Sequence, residues 1–303
     1  MEERLNLFKF YFDTKRLTFD VNQGKEGIMP INKAIPTNEQ EHDHYTEAGE
    51  HIISHDVQLS HIGHWLKKGW LDMAHAPGIS LFYGLVMALS VVMMFFAVQY
   101  QPIQMLTIAV VFIVLSPFLA TGLYYTAHKL ERGKKPSLAS SMVAWKGKKS
   151  NFGLFAICLV IIAAIGINAM PFVVAIVLGA SSLLIVDSSM GVTGFLATPE
   201  GLAFLIFFVG HSVIIAAFVF AISVVTIPLL LRDNHIGAIS AMILSFKIVV
   251  NNKLVMTAWA LVIGFMLIVG IMSLGLGMLI VMPLLGYASW HAVNDLVEIH
   301  KAA

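Results

Sequence analysis

Six long apolar runs, separated by polar stretches, organise the 303 residues of this chain. They lie near Ile79–Val98, Met105–Ala127, Phe152–Leu178, Gly201–Leu231, Leu254–Ser273 and Leu276–Ala292. Crossing a hydrocarbon core of about 30 Å takes about 20 helical residues, so each run is predicted to form one transmembrane helix. The runs are continuously apolar and do not alternate with period two, which rules out a membrane barrel. The expected fold class is all-α: a polytopic membrane protein with a six-helix domain over residues 61–303, preceded by a polar tail over residues 1–60.

The pattern also repeats. Each of three units, near residues 61–133, 137–233 and 236–300, reads as an amphipathic elbow, a span, and a second span bearing proline. The elbows are His64–Trp70, Ser137–Ser150 and Ile236–Asn251; each joins an apolar-periodic stretch to an aromatic and one or more lysines. Such a segment suits the membrane interface, and Trp65, Trp70, Trp145 and Trp290 are expected to anchor there. Pro117, Pro228 and Pro283 each remove one intrahelical hydrogen bond, so they are expected to kink their helices. Three bent helices could line a central crevice, or the bends could serve packing alone. The glycines at 264, 270, 275 and 277 are expected at close helix contacts.

Charge gives the orientation. All nineteen Lys and Arg fall before the first run, in the connections after the second and fourth runs, or at the C-terminus. Eight lie between Arg4 and Lys68, seven between Lys129 and Lys149, then Arg232, Lys247, Lys253 and Lys301. The positive-inside rule then puts both termini in the cytoplasm, in a bacterial inner membrane. No h-region opens the chain, so the first span is expected to do its own targeting. Composition agrees with the membrane class: 58% hydrophobic, 12% charged, mean hydropathy +0.81. The formal net charge of +1 offers nothing to hold a nucleic-acid backbone. The single cysteine, Cys158, excludes an internal disulfide and a CxxC site.

Candidate chemistry is sparse. Thr198-Pro199-Glu200 forms a strong helix start, with an N-cap, a proline in the first turn and an acid at the positive dipole end. Counting about 1.5 Å per residue from there places His211 about 18 Å in, near mid-bilayer. An intramembrane histidine is a haem or metal ligand, a proton relay, or a structural residue satisfied by a neutral partner such as Ser212. His291 is the second candidate for a cofactor. In the tail, His44, Glu47, His51 and His55 would share one face if that stretch were helical, a donor set suited to zinc or nickel. A solvated His-rich tail is the alternative. Tyr287, Trp290 and His291 fit an aromatic belt, and Asp187 is expected to face solvent. No nucleophile–base pair or metal-hydrolase spacing is present.

Several stretches resemble a bacterial inner-membrane family known as domain of unknown function 2189. They are Leu66–Asp72, Gly122-Leu-Tyr124, Thr198–Gly201, Ala221–Leu231 and Leu285–His291. The likeness runs from about His61 to the C-terminus and leaves the tail outside. Members are often labelled cytochrome c oxidase subunit I, yet the family has no agreed activity, so the resemblance implies a fold more than a function. The family pattern has His where Tyr287 stands and Asn where His211 stands. An oxidase core also needs several deep histidines, and only His211 is deep here.

The expected function is that of a non-catalytic accessory, assembly or scaffold subunit of a larger membrane complex, most plausibly respiratory, with no cofactor. Leu5, Phe8, Phe10, Tyr11 and Phe12 form an aromatic segment suited to docking on another subunit. Two alternatives belong to other classes: a small transporter or channel for lipid or another apolar solute, and a haem- or metal-binding redox subunit using His211 and His291.

Overall fold

The computed structural model describes residues 41–45, 51–100, 104–178, 194, 196–232 and 236–300. These lie in the compact unit Glu39–Ala303. Two short strands, β1 (Glu41–Tyr45) and β2 (His51–His55), precede ten helices. These are α1 (His61–His75), α2 (Pro77–Tyr100), α3 (Gln104–Glu131), α4 (Leu138–Met142), α5 (Lys149–Leu178), α6 (Pro199–Ser223), α7 (Thr226–Arg232), α8 (Ala238–Asn251), α9 (Lys253–Met272) and α10 (Met278–Leu296). A last strand, β3 (Val297–His300), follows α10 directly.

Among the described residues, five segments are long and apolar enough to cross a membrane: Pro77–Phe96, Val110–Glu131, Leu138–Ala169, Pro199–Arg232 and Lys253–Met272. Their outer faces carry exposed Leu, Ile, Val, Met and Phe, such as Leu89, Met93, Ile161, Ile165, Ile214, Leu261 and Phe265. Lipid would cover such surface, whereas water would make it an aggregation hazard. The sixth apolar stretch behaves differently. It forms α10, whose second half carries Tyr287, Ser289, Trp290, His291, Asn294 and Asp295, and it is the most buried helix of the unit. From Val281 to Val293 every residue except His291 is buried, and the His291 side chain is itself only 12% exposed. A helix enclosed by protein has no lipid-facing side to keep apolar, so it can carry polar groups provided they find partners.

Helices α1, α2, α3 and α9 surround α10. Close approach depends on absent side chains. A Cβ on Gly69 would stand 2.8 Å from the Ala288 nitrogen and 2.9 Å from the Leu284 oxygen, so α1 lies directly on the α10 backbone. A Cβ on Gly84 would stand 2.6 Å from the Leu279 carbonyl oxygen, the acceptor that Pro283 leaves without its helical donor. Gly122 leaves room on α3 for the Tyr83 phenol, which reaches Ser141 Oγ of α4 at 3.2 Å. Of the glycines expected at contacts, Gly270, Gly275 and Gly277 are closely packed, Gly275 with φ +83°. Gly264 is not: no neighbour lies within 4 Å of where its Cβ would be.

The three prolines differ in their effect. Pro117 and Pro283 lie inside continuous helices. Ahead of Pro228 the helix breaks, with α6 ending at Ser223 and α7 starting at Thr226. The hydroxyl of Ser245, on α8, fills that break. It accepts from the Val225 N–H at 3.2 Å and donates to the Ala221 carbonyl at 2.7 Å, replacing the rung those two groups would have formed. The freed backbone is thus satisfied inside the protein, as an apolar solvent requires.

A small sheet was not expected in an all-α chain. It runs β1-β2-β3, antiparallel throughout, and joins the end of the tail to the end of α10. Ile52, Ser54 and Val297 are buried. The Asn252 side chain fastens the following segment, accepting from the Val57 N–H at 3.0 Å and donating to the His55 carbonyl at 3.3 Å. The β3 strand comes from the far end of the sequence, and such non-local pairing leaves no local periodicity to read.

Candidate functional site

The groups with chemical potential gather along one side of α10. Tyr287, Trp290, His291, Asn294 and Asp295 are spaced three and four residues apart, which places them on a single helical face. Each meets a side chain from another helix. The Tyr287 hydroxyl lies 3.0 Å from Ser80 Oγ of α2. Trp290 Nε1 donates to Glu131 Oε2 at the end of α3 at 3.1 Å, and Asn294 Nδ2 donates to Glu131 Oε1 at 2.9 Å. His291 Nε2 stands 2.7 Å from Asp72 Oδ2 on α1. Trp65 Nε1, also on α1, donates to Asp295 Oδ2 at 2.8 Å, with Lys68 Nζ 3.9 Å from the other carboxylate oxygen.

These contacts correct the expected anchors. Trp65 and Trp290 are both 0% exposed and hydrogen-bonded to carboxylates, so neither faces the headgroups. Trp65 also packs edge-on against Trp259 with centroids 5.5 Å apart, and Trp290 against His128 at 5.0 Å. The cause is the Gly69–Ala288 approach, which draws the apolar side of α1 inward. Trp70 and Trp145 are 52% and 44% exposed, as residues meeting lipid or headgroups would be. Tyr287 and Trp290, read as part of a belt, are instead core residues, and His291 beside them is largely shielded.

His211 reaches across from α6 to the Gly166 carbonyl of α5 at 2.9 Å. Because a carbonyl only accepts, Nε2 there carries the proton. His211 and His291 therefore each spend Nε2 on a partner from a different helix. The N-terminal start of α6 is as expected: Thr198 Oγ accepts from the Gly201 N–H at 3.0 Å, with Pro199 in the first turn.

The tail set fares differently. The helical face that would have gathered His44, Glu47, His51 and His55 does not form, because residues 41–45 and 51–55 are strands. Strand periodicity of two, fixed by the burial of Ile52 and Ser54, takes the place of the helical repeat. His44 pairs in register with Ile52, and His51 with Tyr45. Glu47 lies outside the described residues, as do Asp187 and the aromatic segment Leu5, Phe8, Phe10, Tyr11 and Phe12. Among the described residues, no three His, Cys, Asp or Glu side chains are grouped to hold a metal ion.

Residues 105–232 match the model of a family described as predicted integral membrane protein (DUF2189). This is the family that the sequence motifs resemble. The matched segment contains Gly122-Leu-Tyr124, Thr198–Gly201 and Ala221–Leu231, hence the Tyr83 crossing point, the α6 cap and the break filled by Ser245. It does not extend to Leu66–Asp72 or Leu285–His291, which form the α1–α10 contact. No curated protein and no solved structure matches the chain.

Asp72, Ser80, Glu131, Asp295 and Ser245 are the residues that sequence reasoning passed over. One signal was available: the 287/290/291/294/295 spacing marks a polar helical face where a lipid-facing span would be apolar.

Proposed function

We propose that this chain is a non-catalytic accessory, assembly or scaffold subunit of a larger membrane complex; a respiratory complex is suggested by family labelling alone. It is seated in a bacterial inner membrane by six spans, α10 being the sixth and central one, with both termini in the cytoplasm. The three short helices α1, α4 and α8, each preceding a long apolar helix, support the threefold repeat.

The observation that carries this reading is how the polar side chains are used. His211, His291, Asp72, Asp295, Tyr287 and Trp290 are each bonded to another helix, so these groups join elements instead of lining a reaction site. The orientation is supported by contacts that collect every basic connection at one end of the unit. Trp290 meets Glu131, Arg232 Nη1 donates to the Val297 carbonyl at 3.2 Å, Lys148 donates to the Leu230 carbonyl, and Asn252 meets His55.

The test is purification of the natively expressed, C-terminally tagged chain in gentle detergent, with mass spectrometry of what accompanies it. Stoichiometric recovery of defined membrane subunits, lost when residues 1–38 are deleted, is the expected result. Recovery of the chain alone would overturn the accessory role and make lipid or solute transport the next hypothesis to assay.

A further inference from the structure

Helix α5 turns one side to the protein and leaves the other exposed. Phe152, Phe155, Leu159, Ala163 and Gly166 are buried, three or four residues apart, and the Gly166 carbonyl takes the bond from His211. The opposite side is a second regular stripe, in which Leu154, Ile157, Ile161, Ala164 and Asn168 are all exposed. Its steps alternate three and four, so seven residues separate Leu154 from Ile161 and Ile161 from Asn168. That is the a-and-d repeat by which one helix seats itself along another.

One member of the stripe does not suit lipid. Counting about 1.5 Å per residue from Phe152, the first apolar residue of the span, Asn168 lies about 24 Å into a hydrocarbon core of about 30 Å. The sequence remains apolar past it, from Met170 to Leu178. Asn168 Nδ2 donates one N–H to the Ala164 carbonyl at 2.7 Å, one turn back on the same helix. Among the described residues the carboxamide has no partner on another helix, so its second N–H and its oxygen are left to acyl chains, which can bond neither.

We propose that this stripe is the contact surface for a second copy of the chain. The two α5 helices lie parallel about a two-fold axis along the membrane normal, with the Asn168 carboxamides bonded to each other. Copies inserted the same way have parallel helices, and in a parallel pair each a position meets its own counterpart. A carboxamide carries both donor and acceptor, so it is its own complement: the second N–H of each Asn168 donates to the oxygen of the other. A different protein would have to supply a matching donor and acceptor at the same depth, whereas a second copy supplies them by symmetry. No charge opposes the contact, since α5 has none after Lys149. Ala164, one turn from Asn168, is short enough to let the backbones approach. The pairing rests on residence in a membrane and not on the accessory role, so each can fail without the other.

The experiment uses the full-length protein in vesicles of phosphatidylethanolamine and phosphatidylglycerol, with Cys158→Ser as the background. Ala164→Cys, treated with copper phenanthroline, should cross-link into a pair of this chain, because cysteines facing across such an axis lie within disulfide reach. Leu261→Cys, exposed on α9, should cross-link no more than random collision allows. Energy transfer between C-terminally labelled copies should report association that falls on dilution with lipid. Asn168→Leu should weaken that association by about tenfold, two reciprocal bonds being lost, and Asn168→Gln by clearly less. If Asn168→Leu fails to fold, the cross-linking pair, which keeps Asn168, carries the comparison. A chain that stays monomeric at every protein-to-lipid ratio would overturn the proposal. So would equal cross-linking through Ala164→Cys and Leu261→Cys, undiminished association of Asn168→Leu, or cross-linking of Ala164→Cys in native membranes to a different protein only.

Discussion

His291 Nε2 and Asp72 Oδ2 stand 2.7 Å apart, joining the buried helix α10 to the elbow α1 across 219 positions of sequence. Both side chains are largely shielded, 12% and 17% exposed. A charge-assisted bond in such a place is stronger than one in water, and removing one partner strands the other. Asp72→Ala is expected to destabilise the protein by about 1–3 kcal/mol, read from thermal unfolding in detergent. Asp72→Ala and His291→Ala together should cost clearly less than the two losses added. Additive losses would mean that the pair is not coupled.

The glycine contacts separate two substitutions that look alike in sequence. Gly69→Ala puts a methyl group within 3 Å of α10 backbone atoms, which cannot turn aside. Helix α1 must then lift from α10, taking Trp65 off Asp295. A lower unfolding temperature and a red shift in tryptophan emission, as Trp65 leaves its buried site, are expected. Gly264→Ala meets open space, so it should be neutral or raise stability by up to about 1 kcal/mol through helix propensity. Equal effects at the two positions would contradict the packing of α1.

That contrast shows where sequence reading works here. The apolar runs gave five helices of spanning length, because lipid-facing surface must be apolar whatever its neighbours are. The α6 start was legible because Thr198, Pro199 and Glu200 act locally. Gly69 and Gly264 could not be told apart, since the contact that matters to Gly69 comes from residues 284 and 288. Trp65 and Trp290 misled for the same reason: an aromatic at an elbow reads as an anchor until its carboxylate partner is known. The strand period of the tail histidines, weighed in sequence only as a conditional helical face or a solvated tail, is not legible locally because the sheet is completed by β3 at the other end of the chain.

Ser245 and Pro228 are predicted to be coupled through the broken helix. Ser245→Ala strands the Val225 N–H and the Ala221 carbonyl in a buried setting, at a cost of about 1–3 kcal/mol. Pro228→Ala restores a donor to the turn and lets α6 and α7 close into one helix. In that background Ser245→Ala should cost markedly less. A double-mutant cycle in detergent unfolding checks this; a coupling near zero would mean that the hydroxyl does not fill the break.

For His211 the bond to Gly166 makes a prediction that a ligand or relay role does not share. The residue contributes one donor between α5 and α6, and such interhelical bonds in membranes average about 0.6 kcal/mol with a maximum near about 1.7 kcal/mol. His211→Leu should therefore lower stability by about 1 kcal/mol, and His211→Gln, which keeps a donor, should recover part of it. Neither change should alter the visible absorption spectrum of protein purified from its native membrane. A Soret band in the wild type that His211→Gln abolishes would instead make His211 a haem ligand, and the Gly166 bond would then belong to the apoprotein alone.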